Sequence, residues 1–231
     1  KPSFAFQAKR GFFIKHILGV ALSPFGLTFS PNITLILVNK SAALFGGTMA
    51  VTCYASISYV SSVVILLLQG ISDGSQPLVS LAYGEGNIPR AKAIRNFAYQ
   101  FSVLISAICV AVLFAVRGHA AELFGASPQV TQEVAKILPI FLCGYLFISI
   151  SRVTTAFFYA ISENLQAYLL IYGEPLLLLL LLLILPQTIG ILGTWLVIPI
   201  SQIALSLLGL FMVWKDHQMA QVTPVMESHN N

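Results

Sequence analysis

The chain has 231 residues, 57% hydrophobic and only 9% charged, with a formal net charge of +4 and a pI near 9.0. A soluble domain carries about 25% charged residues, so a fold of this size has too few charges to cover a water-facing surface, and lipid must solvate much of it. The basic residues sit singly or at the edges of apolar runs, which excludes a nucleic-acid surface and marks them as membrane-orientation signals.

Residues 1–15 are mixed in character and carry Lys1, Lys9, Arg10 and Lys15. They have the composition of a cytosolic connector rather than a signal peptide. The chain starts at Lys1 rather than at a methionine, and it is expected to be a piece of a longer protein. A helix rises about 1.5 Å per residue, so roughly 20 apolar residues cross a bilayer core. Six stretches meet that length. Ile17–Val38 comes first, interrupted by Pro24 and Pro31, and Asn39-Lys40-Ser41 with Gly46-Gly47 separates it from Thr48–Tyr83. Gly84–Pro89 leads to Phe97–Val116, with Pro89 suited to the first turn of a helix. Gly125–Pro128 opens Val134–Ile161, with Ser127 as the predicted N-cap. Ser162-Glu163-Asn164 and Pro186-Gln187-Thr188 bound the last two, Ala167–Leu185 and Leu192–Trp214.

The expected fold is all-α, a polytopic membrane protein of six transmembrane helices over residues 16–216, with a disordered cytosolic tail at 217–231. With the amino terminus in the cytosol, that side holds Lys1, Lys9, Arg10, Lys15, Arg90, Lys92, Arg95 and Lys215. The opposite side holds Lys40, Arg117 and Lys136. Both ends are therefore expected in the cytosol. The eight leucines Leu176–Leu183 read as lipid-facing filler, and Cys53, Cys109 and Cys143 as small buried apolar side chains without ligand spacing.

The second span carries the sharpest polar pattern. Ser58, Ser62, Gln69, Asp73, Gln76 and Ser80 recur at steps of three or four, apart from one gap, and so form one stripe on an apolar helix. A stripe with a carboxylate must face a cavity or another helix. Two readings follow, interhelical hydrogen bonding or a water-filled pathway. Counted from the cytosolic ends of their spans, Asp73 is about 16 Å deep, Arg152 about 15 Å and Glu174 about 12 Å. All three lie at a similar mid-membrane level. Arg152 is too deep to reach water and needs a partner. Glu174, on the next span, is the expected one, with Asp73 competing. The pair is either a static ion pair or a group used in proton coupling or substrate binding. Tyr145, Tyr159, Tyr168, Tyr172, Phe157 and Phe158 flank the region, where rings in a cavity would suit flat cations and rings at an edge would anchor the interface.

The second-span sequence Gln69-Gly70 … Gln76-Pro77, followed by Gly84-Glu85-Gly86 and Arg90, resembles the signature of the multidrug and toxic compound extrusion (MATE) family. Glu122-Leu123-Phe124, Phe157–Asn164 and Gly190–Trp195 also resemble family positions. The resemblance implies one six-helix lobe of a two-lobe, twelve-helix antiporter that exchanges Na⁺ or H⁺ for organic cations and drugs, with no other cofactor. Residues 1–15 would be the inter-lobe linker, and the partners would be the bilayer, a small organic cation and the amino-terminal lobe of the same chain. The location would be the cell (inner) membrane. The pathway residues expected here are Gln69, Asp73, Gln76, Tyr145, Arg152 and Glu174. One branch of the family carries an intramembrane aspartate shortly after the tyrosine matched by Tyr145, but here Ile148 and Ser149 stand in its place, so no residue inherits the family's cation site. A lipid-linked oligosaccharide flippase of the same superfamily is the main alternative, and it would need a strongly basic cavity. A structural membrane subunit is another. An enzyme would need HExxH, GxSxG or paired carboxylates, and none is present.

Overall fold

The computed structural model describes residues 10–227, with side chains from 25 to 215 except 27 and 28. Five long helices follow one another: α1 (Arg10–Gly84), α2 (Ile88–Val116), α3 (Pro128–Ala160), α4 (Asn164–Ile189) and α5 (Ile191–Glu227). A short 3-10 turn occupies Glu122–Phe124, and no strand occurs among the described residues. All five helices are long and apolar enough to cross a membrane.

α1 is two spans joined at Gly47, whose φ of 64° and ψ of −162° leave the helical region. That conformation is essentially closed to residues with a Cβ, so the Gly46-Gly47 pair breaks the chain where the sequence predicted a connector. Val38 and Ala42 before the break share an apolar cluster with Ala50 and Cys53 after it; the two arms fold back on each other. The six expected spans are present. The predicted helix starts are seen as well. Ser127 Oγ accepts the Val130 N–H at 3.4 Å, Asn87 Oδ1 accepts the Arg90 N–H at 3.1 Å, and α2 has proline in its first turn. α5 continues to Glu227, across most of the segment read as a tail. Residues 1–9 of the expected linker and 228–231 of the tail lie outside the described residues.

The buried interior divides by height. One apolar cluster includes Leu68 on α1, Ile148 on α3, Leu178 on α4 and Val197 on α5. A second, nearer the ends read as cytosolic, includes Val79, Phe157, Ile171 and Leu205 on the same four helices. Between the two, each helix contributes its polar residues: Gln69, Ser72 and Asp73 on α1, Ser149 to Thr155 on α3, Glu174 on α4, and Ser201 and Gln202 on α5. Most hydroxyls in this layer donate to their own helix, as Ser72 does to Leu68 O and Thr155 to Ser151 O. That leaves the charged and amide groups to interact between helices.

Three expectations need correction. The leucine run is not all lipid-facing, because Leu178 and Leu182, one turn apart, are buried while Leu176, Leu179, Leu180 and Leu183 are exposed. A homopolymer has no periodicity, and so gives no sign of which face packs. Cys143 is exposed, unlike buried Cys53. Arg95, counted among the basic residues of the cytosolic segments, stands within α2 and is buried with its guanidinium 4.8 Å from the centre of the Phe157 ring.

At the far end, Ser41 and Thr194 share a buried 2.8 Å hydrogen bond across 153 residues. Thr194→Val keeps the shape but strands the Ser41 hydroxyl. It is expected to cost about 1–2 kcal/mol, read as a lower Tm in detergent. Adding Ser41→Ala should recover most of the loss, since neither partner is then left unpaired.

Candidate functional site

The polar layer opens into a cavity of about 300 Å³ bounded by both arms of α1 and by α3, α4 and α5. Its walls carry Asn32 and Thr34 from the first arm, and Ser58, Ser61 and Ser62 from the second. Tyr54, Phe141 and Tyr145 supply aromatic surface. Arg152, Glu174 and Gln202 supply the charge and the amide.

Ring packing fixes the aromatic wall. Tyr54, Phe141 and Trp195 form a mutual cluster with centroids 6.0–6.2 Å apart, which holds the first two rings at the cavity edge. Tyr145 is almost wholly buried, and its hydroxyl lies 2.6 Å from Ser61 Oγ, tying α3 to α1 across the wall. Ser58 and Ser62 donate to Tyr54 O and Ser58 O along their own helix.

Arg152 does not form the expected ion pair. Its Nη1 donates to Gln69 Oε1 at 3.2 Å, and Gln69 Nε2 donates to Asp73 Oδ1 at 2.7 Å. The charges of Arg152 and Asp73 are therefore joined through an amide. Glu174 Oε1 instead accepts from Gln202 Nε2 at 2.8 Å. The ion pairs among the described residues, Arg90–Glu85 and Lys136–Glu133, both lie outside the polar layer. The reason is packing order. Although α3 and α4 are consecutive, α3 packs mainly between α1 and α5, so Arg152 meets α1 before it meets its sequence neighbour. Arg152 and Glu174 nevertheless face the same cavity.

Of the six pathway residues, Tyr145, Arg152 and Glu174 line the cavity and Gln69 joins it through Arg152. Asp73 is exposed on the outside of the six-helix unit, and half-buried Gln76 stands apart from the cavity wall. The stripe on α1 therefore divides, with Ser58 and Ser62 lining the cavity and Asp73 on the open face. Gln202, Tyr54, Ser61 and Asn32 complete the site without having been singled out from sequence. The signal for Gln202 was a lone amide beside Ser201 in an otherwise apolar span. No group of three or more His, Cys, Asp or Glu able to hold a metal occurs among the described residues. Aromatic faces, hydroxyls and one charge of each sign at mid-membrane depth can hold an organic ion away from lipid.

The MatE family model matches residues 20–172. Among solved structures, the chain is similar to an outward-facing multidrug resistance MATE family transporter of the MOP superfamily. The identity is 20% and the TM-score 0.82, over 96% of this chain and 49% of that one. A MOP superfamily transporter from Pyrococcus furiosus, described as having a binding pocket of reverse polarity, is 22% identical with a TM-score of 0.80, over 90% of this chain and 47% of that one. A MATE structure in complex with MaL6 is 20% identical with a TM-score of 0.78, over 91% and 48%. The chain spans about half the length of the solved structures it matches. No curated protein matches it.

Proposed function

The chain belongs to the MatE family, and from that premise we propose that it forms one six-helix lobe of a secondary antiporter that expels organic cations in exchange for Na⁺ or H⁺. The observation that carries this reading is the mid-membrane polar layer opening into a cavity with Arg152 and Glu174 on its wall. A structural subunit has no use for two charges there, since intramembrane ionisable residues are expensive unless they serve a pathway. The aromatic wall of Tyr54, Phe141 and Tyr145 suits a flat cation. A flippase for a pyrophosphate-linked substrate would need several basic groups, and among the described residues Arg152 is the one basic side chain on this cavity wall.

In this reading both termini lie in the cytosol and the membrane is the cell's inner membrane. A second set of six spans covers the face that exposes Asp73, because lipid would leave that carboxylate unsolvated. Asp73 then borders the passage between the two sets and sets the position of Gln69, and through it Arg152. The test is ethidium export by cells producing the intact protein. The wild type should expel ethidium until the ion gradient is collapsed. Asp73→Asn should slow export several-fold. Equal export with and without the protein would sink the transport reading, and wild-type export by Asp73→Asn would remove Asp73 from the pathway.

A further inference from the structure

A groove of about 280 Å³ lies on the other side of the second arm of α1, between that arm and α2. Val60, Val64 and Leu67 turn to it from the helix face opposite that of Ser58, Ser61 and Ile65, which face the cavity described above. Among the described residues its walls are apolar throughout, half-buried Cys109 included. Phe124, on the 3-10 turn, stacks on exposed Tyr59 with centroids 5.7 Å apart and roofs the far end. Exposed Val63, Leu67, Ile108 and Val112 leave one side open. Half-buried Arg117 follows Val116, the last groove residue of α2, and exposed His119 and Glu122 stand on the connector beyond it. An exposed tyrosine and an arginine at this end mark a membrane interface. From there the run from Val60 to Leu67 carries the groove about 10 Å into the hydrocarbon.

We propose that this groove holds one acyl chain of a resident phospholipid, with the lipid phosphate on the Arg117 guanidinium. Walls of alkyl groups without a hydrogen-bonding side chain suit a hydrocarbon chain, and they give a charged drug nothing to orient it. A helix is about 10–12 Å across, so two turns of one fill roughly 800 Å³. A further span is therefore too wide to enter. Left empty, the slot would forfeit the packing contacts of its lining, so a chain that fits it is held more firmly than the lipid around it. The headgroup end matches as well. Arg117 Nη1 donates to Phe114 O at 3.0 Å, and its guanidinium lies 4.2 Å from the centre of the Phe114 ring. That fixes the group in place and keeps further N–H donors for a phosphate. Glu122 suits the ammonium of a zwitterionic headgroup such as phosphatidylethanolamine. The inference needs only the membrane setting and stands apart from the transport reading.

The intact protein would be washed extensively in detergent and its retained phospholipid counted by native mass spectrometry. Val112→Trp fills the groove from its open side, and the wild type should keep close to one phospholipid per chain more than this variant, at an unchanged melting temperature. Arg117→Gln should retain about a third of that extra lipid. Leu104→Trp, an equally exposed α2 position outside the groove, should match the wild type. Cys109, in the groove wall, supplies a second reading. Phosphatidylethanolamine added back to stripped protein should slow N-ethylmaleimide labelling, read on the peptide that contains Cys109, by at least about fivefold. Equal retention by the wild type and Val112→Trp, or an equal loss in Leu104→Trp, overturns the inference. So does labelling of Cys109 that added lipid leaves unchanged. Resistance of Cys109 to labelling with and without lipid overturns it too, since a protein segment then fills the groove.

Discussion

Replacing Arg152 with alanine is expected to cut ethidium export by at least about tenfold, equivalent to about 1.4 kcal/mol at the limiting step. It is also expected to lower the thermal stability of the intact protein in detergent. The guanidinium does two things at once. It presents a positive charge to the cavity that also holds Glu174, and it anchors the chain that runs through Gln69 to Asp73. Truncation leaves the Gln69 carbonyl without its donor and raises the uncancelled negative charge in the layer from one to two. Arg152→Lys should fall between, because an ammonium supplies the charge but not the planar fork or its reach.

A double substitution tells charge balance from a simple packing defect. Asp73→Asn added to Arg152→Ala removes one of the two stranded carboxylates. If the Gln69 bridge couples the residues, the pair should be more stable than the sum of the two single losses by about 1–2 kcal/mol. Export should remain low, since the cavity still lacks its cation. Strict additivity in the melting temperatures would show that Arg152 and Asp73 do not sense each other through Gln69.

The membrane fold was legible because hydrocarbon imposes so few options. Apolar lengths of about 20 residues, turn residues between them and a glycine pair at 46–47 are local signals, and each was readable without knowing what packs where. Depth was legible for the same reason. Rise per residue places Asp73, Arg152 and Glu174 at one level, and the structure places all three in the layer between its two apolar clusters. Azimuth was not legible. Spacing says that Ser58, Ser62, Gln69 and Asp73 share a stripe, but not that the stripe starts on the cavity wall and ends on the open face. Nor does chain order give packing order. Arg152 finds Gln69, 83 residues away, in preference to Glu174 on the next helix. Gln202 was missed because a single amide in a span has no periodicity to betray it, although its partner Glu174 was visible from charge alone.

Gly193→Ala is the substitution expected to damage the fold most for its size. Gly190 alone links α4 to α5, so the last turn of one helix lies against the first turn of the next. The Gly193 N–H donates to Gly190 O, and Gly190 N–H donates to Pro186 O. A Cβ at 193 would overlap the Leu185 carbonyl and sit 2.7 Å from the Pro186 nitrogen. Both obstacles are backbone, so no rotamer change relieves the contact, and α5 must move. The next two residues show what moves with it. Thr194 holds the buried bond to Ser41, and Trp195 stacks with Tyr54 and packs tilted against Phe141 at the cavity edge. Overpacking of this kind costs about 1–3 kcal/mol and more when it cannot relax, and here it carries a hydrogen bond and two aromatic contacts along. The variant should therefore melt well below the wild type, or fail to accumulate. Trp195 emission should report the loss from inside the cluster. Gly173→Ala is the matched control, because its Cβ would meet the Leu205 side chain at an ordinary 3.6 Å, and its melting temperature should stay close to wild type. If Gly193→Ala proves as stable as Gly173→Ala, the close approach of α4 and α5 at this turn is not what seats Trp195, and the aromatic edge of the cavity must be held by something other than the Gly190 link.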